Sequence, residues 1–111
     1  LSIRRQRQMC IRDSYGSGPA YYVYFNQIIK DVFINMGYSN NDATIFTNDI
    51  MHGTSQIIEK NKDLDNIISS IASKGGTTQA ALAELNNNKI DSIFSKAIKK
   101  AYKKSRNILK K

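Results

Sequence analysis

The chain is poor in the residues that cross-link small proteins or bind metals. Its 111 residues include one cysteine, one histidine, one proline and no tryptophan. One cysteine cannot form an internal disulfide, and one cysteine with one histidine does not make a zinc site. Such cysteine usage favours a reducing, cytosolic setting. No apolar run approaches the roughly 20 residues of a membrane span. The basic start is not followed by the apolar stretch of a signal peptide.

Acidic residues are also scarce, and the basic excess lies at the two ends of the chain. Nine aspartates and glutamates stand against seventeen lysines and arginines, a net charge of +8. Residues 4–12 hold four arginines, and residues 96–111 hold eight basic residues and no acidic one. A basic excess can indicate nucleic-acid binding, but no aromatic side chains are interleaved on the basic side of residues 96–111. We interpret that segment as a solvated helix face and expect neither a nucleic-acid nor a membrane partner.

The spacing of apolar residues predicts helices almost throughout the chain and no strands. Pro19 fits the first turn of the first helix, and Gly37 fits a left-handed C-terminal cap. Ser39 and Asp63 fit the N-caps of the next two helices. We expect helices at residues 19–36, 41–60, 64–72, 79–85 and from about residue 90 onward. The predicted fold is therefore an all-α bundle of about five helices.

The one strong loop in the chain is SKGGTT, residues 73–78. Gly75 and Gly76 permit backbone conformations that other residues avoid, and Thr77 or Thr78 can cap the helix that follows. Amide groups of such a turn, at a helix N-terminus, can converge on a carboxylate or a phosphate. The hydroxyl groups of the loop can bond a small polar ligand. The alternative is an ordinary helix–helix connection.

Two other features predict no chemistry. GSG at residues 16–18 resembles part of a dinucleotide fingerprint, but Pro19 follows at once and no strand precedes it. We interpret it as a bend before the first helix. His52 has no partner for a metal site, so we expect a structural or exposed role, with a catalytic base as the alternative.

The start of the chain does not fit the rest. RRQRQMCIRD, residues 4–13, resembles the transposon-end adapter used to prepare sequencing libraries, translated in one frame. We therefore interpret residues 1–13 as adapter-derived and residues 14–111 as the native domain. The alternatives are a basic arm for RNA and a nuclear signal. On this interpretation the true protein extends upstream of Tyr15, and the chain is a fragment.

Two motifs carry a family resemblance. YGSGPAYYVYF at residues 15–25 and IASKGGTTQAALAEL at residues 71–85 resemble the C-terminal helical dimerisation domain of pyrroline-5-carboxylate reductase. The first resembles the family's Ser-Gly-Ser-Gly-Pro-Ala-Tyr entry to a long helix, with Tyr15 in place of the first serine. The second follows the family's Gly-Gly-x-Thr signature. The chain departs from the family at Lys74, where proline is frequent.

The resemblance implies a helical bundle that interlocks with a second copy in a homodimer or a higher oligomer. It implies a Rossmann domain before this one, missing here, that binds NADPH or NADH. The implied reaction is the reduction of 1-pyrroline-5-carboxylate to L-proline, in the cytoplasm. Ser73 and the backbone of Gly75, Gly76 and Thr77 would hold the substrate carboxylate, and the catalytic Thr78 hydroxyl would bond the ring nitrogen. No residue of this chain is expected to bind the cofactor or a metal, and the fragment alone is expected to be inactive.

Two alternatives stay open. The chain can be the helical C-terminal domain of a related Rossmann dehydrogenase with another substrate. It can also be a non-enzymatic helical dimerisation module whose lysine-rich end binds an acidic partner.

Overall fold

The structure, a computed structural model, describes the backbone of residues 3–73 and 75–110 and the side chains of residues 16–73 and 75–107. The described backbone forms five α-helices and no strand, which confirms the predicted all-α class. None of these helices is both long enough and apolar enough to cross a membrane. The helices are α1 (Ile3–Asn35), α2 (Asn40–Lys60), α3 (Leu64–Ala72), α4 (Thr77–Asn87) and α5 (Ile90–Lys110).

The first helix begins much earlier than the sequence predicted. Pro19 lies inside α1 and not in its first turn, and residues 16–18 are helical and do not form a bend. A proline removes one amide donor and crowds the carbonyl four residues earlier, but helix can continue on both sides. Residues 4–9 are all arginine, glutamine or methionine, and these residue types are strong helix formers. The adapter interpretation excluded these residues from the predicted fold. The predicted start of α1 was therefore wrong.

The end of α1 follows the prediction. Gly37 has a φ of +110°, a backbone conformation that residues other than glycine rarely adopt. Its amide donates to the Ile34 carbonyl at 3.0 Å, and the Tyr38 amide donates to the Phe33 carbonyl at 3.1 Å. These two bonds form the Schellman motif, in which a left-handed residue ends a helix. The chain therefore reverses sharply between α1 and α2.

The predicted N-caps of α2 and α3 are confirmed. The Ser39 hydroxyl accepts a hydrogen bond from the Asp42 amide at 3.0 Å, and the Asp63 carboxylate accepts one from the Asn66 amide at 3.1 Å. Asn61 ties the turn between the helices, since its side chain donates to Asn66 and accepts from the Asp63 amide, both at 3.0 Å. This local network fixes where α3 starts.

The boundary between α4 and α5 is set by Lys89. The helix α4 extends to Asn87, two residues beyond the prediction, and α5 starts at Ile90 as predicted. Lys89 has a φ of +57° and is the one non-glycine residue with positive φ in the described backbone. Its amide donates to the Asn86 carbonyl at 3.0 Å, and its own carbonyl accepts the Ile93 amide at 3.1 Å. Lys89 therefore closes one helix and opens the next.

The chain divides into two units, residues 21–79 and residues 1–20 with 80–111. Within residues 21–79, the one fully buried apolar residue whose side chain is described is Ala43. Beside it, Thr47 is 2% exposed, and its hydroxyl donates to the Ala43 carbonyl at 2.9 Å. In the other unit, Ser105 is buried. The described part of a single chain therefore has a very small core.

Candidate functional site

The five residues predicted to bind substrate lie on the surface between α3 and α4. Ser73 is the C-cap of α3, with φ −73° and ψ −12°. Gly75, Gly76 and Thr77 are exposed, and Thr78 is half-buried. Lys74, the residue that departs from the family pattern, lies outside the described residues.

The start of α4 differs from the prediction. The helix begins at Thr77, so Thr77 and Thr78 occupy its first turn and neither precedes it as a cap. Gly76 precedes the helix instead, and glycine is itself an accepted N-cap residue. The amides of the first helical turn have no partner within the helix, and the N-terminal end carries a partial positive charge. No acidic residue lies in this turn, so no helix carboxylate competes with an incoming anion.

The polar groups of Ser73 are partly committed to α3. Its amide donates to the Ser69 carbonyl at 3.0 Å, and its hydroxyl donates to the Ser70 carbonyl at 3.1 Å. The amide is therefore not available to a ligand. The hydroxyl oxygen can still accept, and a rotation about χ1 would let the hydroxyl donate to a carboxylate.

The two loop glycines do not use the conformational freedom that glycine permits. Neither Gly75 nor Gly76 has a positive φ of the kind that favours glycine, which among the described glycines occurs at Gly37. A Cβ built on either residue would meet no atom within 4 Å. The fold of one chain therefore does not explain why both residues are glycine. The absence of side chains leaves open space beside the backbone at both positions.

The GSG segment and His52 lie in helices. Residues 16–18 lie within α1, so they form no phosphate-binding turn. His52 is exposed on α2, where its Nε2 lies 3.4 Å from the Gln56 side-chain nitrogen. In the described part of the chain, no three histidine, cysteine, aspartate or glutamate side chains are grouped so that they could hold a metal.

The sequence did not predict an apolar groove between α1 and α2. The groove has a volume of about 510 Å³ and no charged residue lines it. None of the loop residues lines it either. Its lining consists of Tyr22, Asn26 and Ile29 from α1, and of Thr47, Ile50, Met51, Thr54, Ser55 and Ile58 from α2. The spacing of apolar residues along α2 could not identify which helix would lie opposite Ile50 and Ile58.

Large apolar side chains of α1 are exposed both in the groove and outside it. Tyr22 and Val23 are each 66% exposed, and Tyr24 is 62% exposed. These successive residues point to different sides of the helix. Monomeric proteins rarely expose contiguous apolar patches larger than a few hundred Å², so this part of α1 needs a further surface to cover it.

Comparison with known proteins places these features in a family. A family model described as pyrroline-5-carboxylate reductase dimerisation matches residues 10–108. The pyrroline-5-carboxylate reductase of Staphylococcus haemolyticus is 34% identical over 92 residues, which cover 81% of this chain and 34% of that protein. The Pasteurella multocida enzyme of the same name is 28% identical over 97 residues, which cover 86% of this chain and 35% of that protein. The chain spans about a third of the length of the curated relatives it matches.

Proposed function

Because this chain belongs to the pyrroline-5-carboxylate reductase dimerisation family, we propose that it is the dimer-forming and substrate-holding part of a reductase. The whole enzyme reduces 1-pyrroline-5-carboxylate to L-proline with NADPH or NADH, in the cytoplasm. The observation that supports this best is the start of α4. Two glycines without conformational need lie there between the Ser73 hydroxyl and the hydroxyls of Thr77 and Thr78, beside a helix N-terminus without acidic residues.

When bound, the nicotinamide would supply the hydride that the imine carbon accepts, and the ring nitrogen would take its proton from water. The described residues do not fit a dinucleotide, because residues 16–18 are helical and no strand precedes them. The cofactor therefore belongs to a Rossmann domain of the whole protein. The task left to this chain is to hold the substrate in the orientation that hydride transfer requires.

The substrate carboxylate is held at the N-terminal end of α4. The amides of Gly75, Gly76 and Thr77 are the donors, and the positive end of the helix dipole adds to their attraction. The Ser73 hydroxyl turns away from the Ser70 carbonyl to donate to the same carboxylate. Each hydrogen bond to a charged group contributes about 1.5–3 kcal/mol, so a few such bonds fix the position of a small anion.

The Thr78 hydroxyl bonds the ring nitrogen of the substrate. Thr78 is half-buried in the first turn of α4, one residue beyond the amides that hold the carboxylate. A short cyclic molecule can span that distance, so the carboxylate and the nitrogen are held from one segment. This hydrogen bond orients the imine towards the hydride donor. It also keeps the ring nitrogen hydrogen-bonded while the imine becomes an amine.

A second copy of the chain completes the core. Ala43 is the one fully buried apolar residue among the described side chains, whereas Tyr22, Val23 and Tyr24 are more than half exposed. Complete burial of a large apolar side chain contributes about 1.5–3 kcal/mol. A homodimer, alone or within a higher oligomer, therefore gains stability that the single chain lacks.

The test uses a chimaera in which residues 14–111 replace the matching part of the Staphylococcus haemolyticus reductase. We expect it to oxidise NAD(P)H in the presence of 1-pyrroline-5-carboxylate. Removing a hydrogen bond to a charged or reacting group costs about 1.5–3 kcal/mol, or roughly 10–150-fold in kcat/KM. Thr78→Ala should lower mainly kcat, and Ser73→Ala should raise mainly KM.

Thr44→Ala is the matched control. The Thr44 hydroxyl bonds the Asn40 carbonyl at the start of α2, and the variant should retain the kinetic constants. If the chimaera folds and reduces another small imine or a keto acid but not 1-pyrroline-5-carboxylate, the substrate assignment fails. If both loop variants match Thr44→Ala, the loop assignment fails.

A further inference from the structure

Four polar side chains line the otherwise apolar groove between α1 and α2, and Asn26 is the one that α1 contributes. On α2, the Thr47 and Ser55 hydroxyls donate to backbone carbonyls of their own helix. Asn26 lies one helical turn after Tyr22 and one turn before Ile29, and all three line the α1 side of the groove. The opposite side includes Ile50 and Met51. Asn26 is half-buried. A carboxamide in these surroundings does not serve apolar packing.

The carboxamide of Asn26 is satisfied by solvent in a single chain. It has no hydrogen-bond partner among the side chains and backbone groups that the structure describes. In the same part of the chain, no buried polar side-chain atom lacks a partner. The Asn26 amide is therefore accessible to water. It can donate two hydrogen bonds and accept two.

Filling the groove would remove this water. A buried amide left without a partner costs about 1–3 kcal/mol. A helix that packs into an apolar groove can slide by one turn with little loss, because apolar contacts have no direction. A carboxamide in such a contact favours the alignment in which it finds a partner, as a single buried asparagine does in coiled coils.

The occupant that fits the groove is a second copy of the chain. No charged residue lines the groove, so its occupant must present an uncharged, largely apolar surface. The same helix offers such a surface on its other side, where Tyr24 is 62% exposed and Ile28 is 43% exposed. The family model that matches the chain describes dimerisation.

We propose that an apolar helix of a second copy enters the groove and that the Asn26 carboxamide sets the register of this contact by hydrogen bonding to a polar group of that copy. The inference rests on the proposed dimer and adds to it the residue that determines how the two copies align. Asn26 then acts as a specificity residue: it lowers the attainable stability of the contact and excludes shifted arrangements.

The test compares the whole chain with Asn26→Leu and with Gln27→Leu. Gln27→Leu makes the same kind of replacement one residue further along α1, outside the groove lining. Sedimentation velocity gives the distribution of oligomers, and thermal unfolding at one concentration gives stability. We expect a single dimer for the original chain and for Gln27→Leu. Asn26→Leu should unfold at a higher temperature and sediment as a mixture of species.

Asn26→Ala keeps the test decisive if Asn26→Leu aggregates. It removes the carboxamide without adding apolar bulk and leaves the partner's polar group unpaired, so the dissociation constant of the dimer should rise by about tenfold or more. A single Asn26→Leu dimer, with an Asn26→Ala dissociation constant equal to that of the original chain, would overturn the register role and leave the dimer intact. A monomeric original chain would instead overturn the proposed dimer.

Discussion

The ring of Tyr38 meets the ring of Phe33 edge to face, with centroids 5.8 Å apart, and the amide of Tyr38 donates to the carbonyl of Phe33 at 3.1 Å. Both contacts bridge the left-handed Gly37. An apolar contact between these two positions commonly accompanies a Schellman motif. The ring of Phe46 from α2 joins the pair, 5.4 Å from Tyr38 and 6.5 Å from Phe33 between centroids. The turn therefore fixes how α2 leaves α1, and with it the two sides of the groove.

Replacing Gly37 should destabilise this turn. A side chain at a φ of +110° is strained, and a left-handed conformation costs a non-glycine residue roughly 1–2 kcal/mol. We expect Gly37→Ala to lower the free energy of unfolding by about that amount, measured by urea denaturation at a fixed chain concentration. Gly37→Asn is the matched comparison and should lose less, because asparagine tolerates this region better. Equal losses, or none, would show that the turn is not held in this conformation.

Replacing Lys89 should have the opposite effect. Lys89 holds a φ of +57°, and glycine would relieve a strain of roughly 1–2 kcal/mol. The greater freedom of glycine in the unfolded chain offsets about 0.4–1 kcal/mol of this gain. Lys89→Gly should therefore raise the free energy of unfolding, by up to about 1.6 kcal/mol.

The control for Lys89 is a glycine placed within a helix. Lys96→Gly in the interior of α5 should lower the free energy of unfolding by about 0.5–1 kcal/mol, because helical glycine is unfavourable. Opposite signs for the two replacements are the expected result in urea denaturation. A loss in both variants would contradict a left-handed Lys89.

Local signals in the sequence predicted those parts of the fold that local chemistry decides. Gly37, Ser39 and Asp63 were identified because each stops or starts a helix by its own backbone or side chain. The start of α1 was not predicted correctly, because a proline such as Pro19 marks a helix start only statistically and the residues before it favour helix. The start of α4 was misplaced by two residues, because Gly76 serves as well as threonine before a helix.

The sequence predicted the residues of the candidate loop but not the groove. The loop is contiguous, so its motif identifies Ser73 to Thr78 without tertiary information, and their roles stay predictions. The groove depends on two helices meeting, and Asn26 looks in the sequence like any polar residue beside an apolar stripe. Only the placement of α1 against α2 shows that Asn26 lines a largely apolar groove.

Removing residues 1–13 tests the adapter interpretation. We expect the chain of residues 14–111 to have the same oligomeric size as the full chain by sedimentation and to lose only the circular dichroism signal of the deleted part of α1. The reason is that residues translated from an adapter have no evolved role in folding. Dissociation or a much lower unfolding temperature would show that these residues belong to the domain.

Replacing Gly75 by alanine separates the needs of the fold from those of the ligand. A Cβ at this position meets no atom within 4 Å, and Gly75 lacks the positive φ that would strain it. We therefore expect the free energy of unfolding of Gly75→Ala to change by no more than about 0.5 kcal/mol, as for most surface replacements. In the active chimaera, the added methyl group would lie where the substrate carboxylate approaches the backbone. The loss of one charged hydrogen bond corresponds to at least a tenfold rise in KM. An unchanged KM in a stable variant would mean that the carboxylate does not approach this amide, and a large loss of stability would mean that the glycine serves the fold.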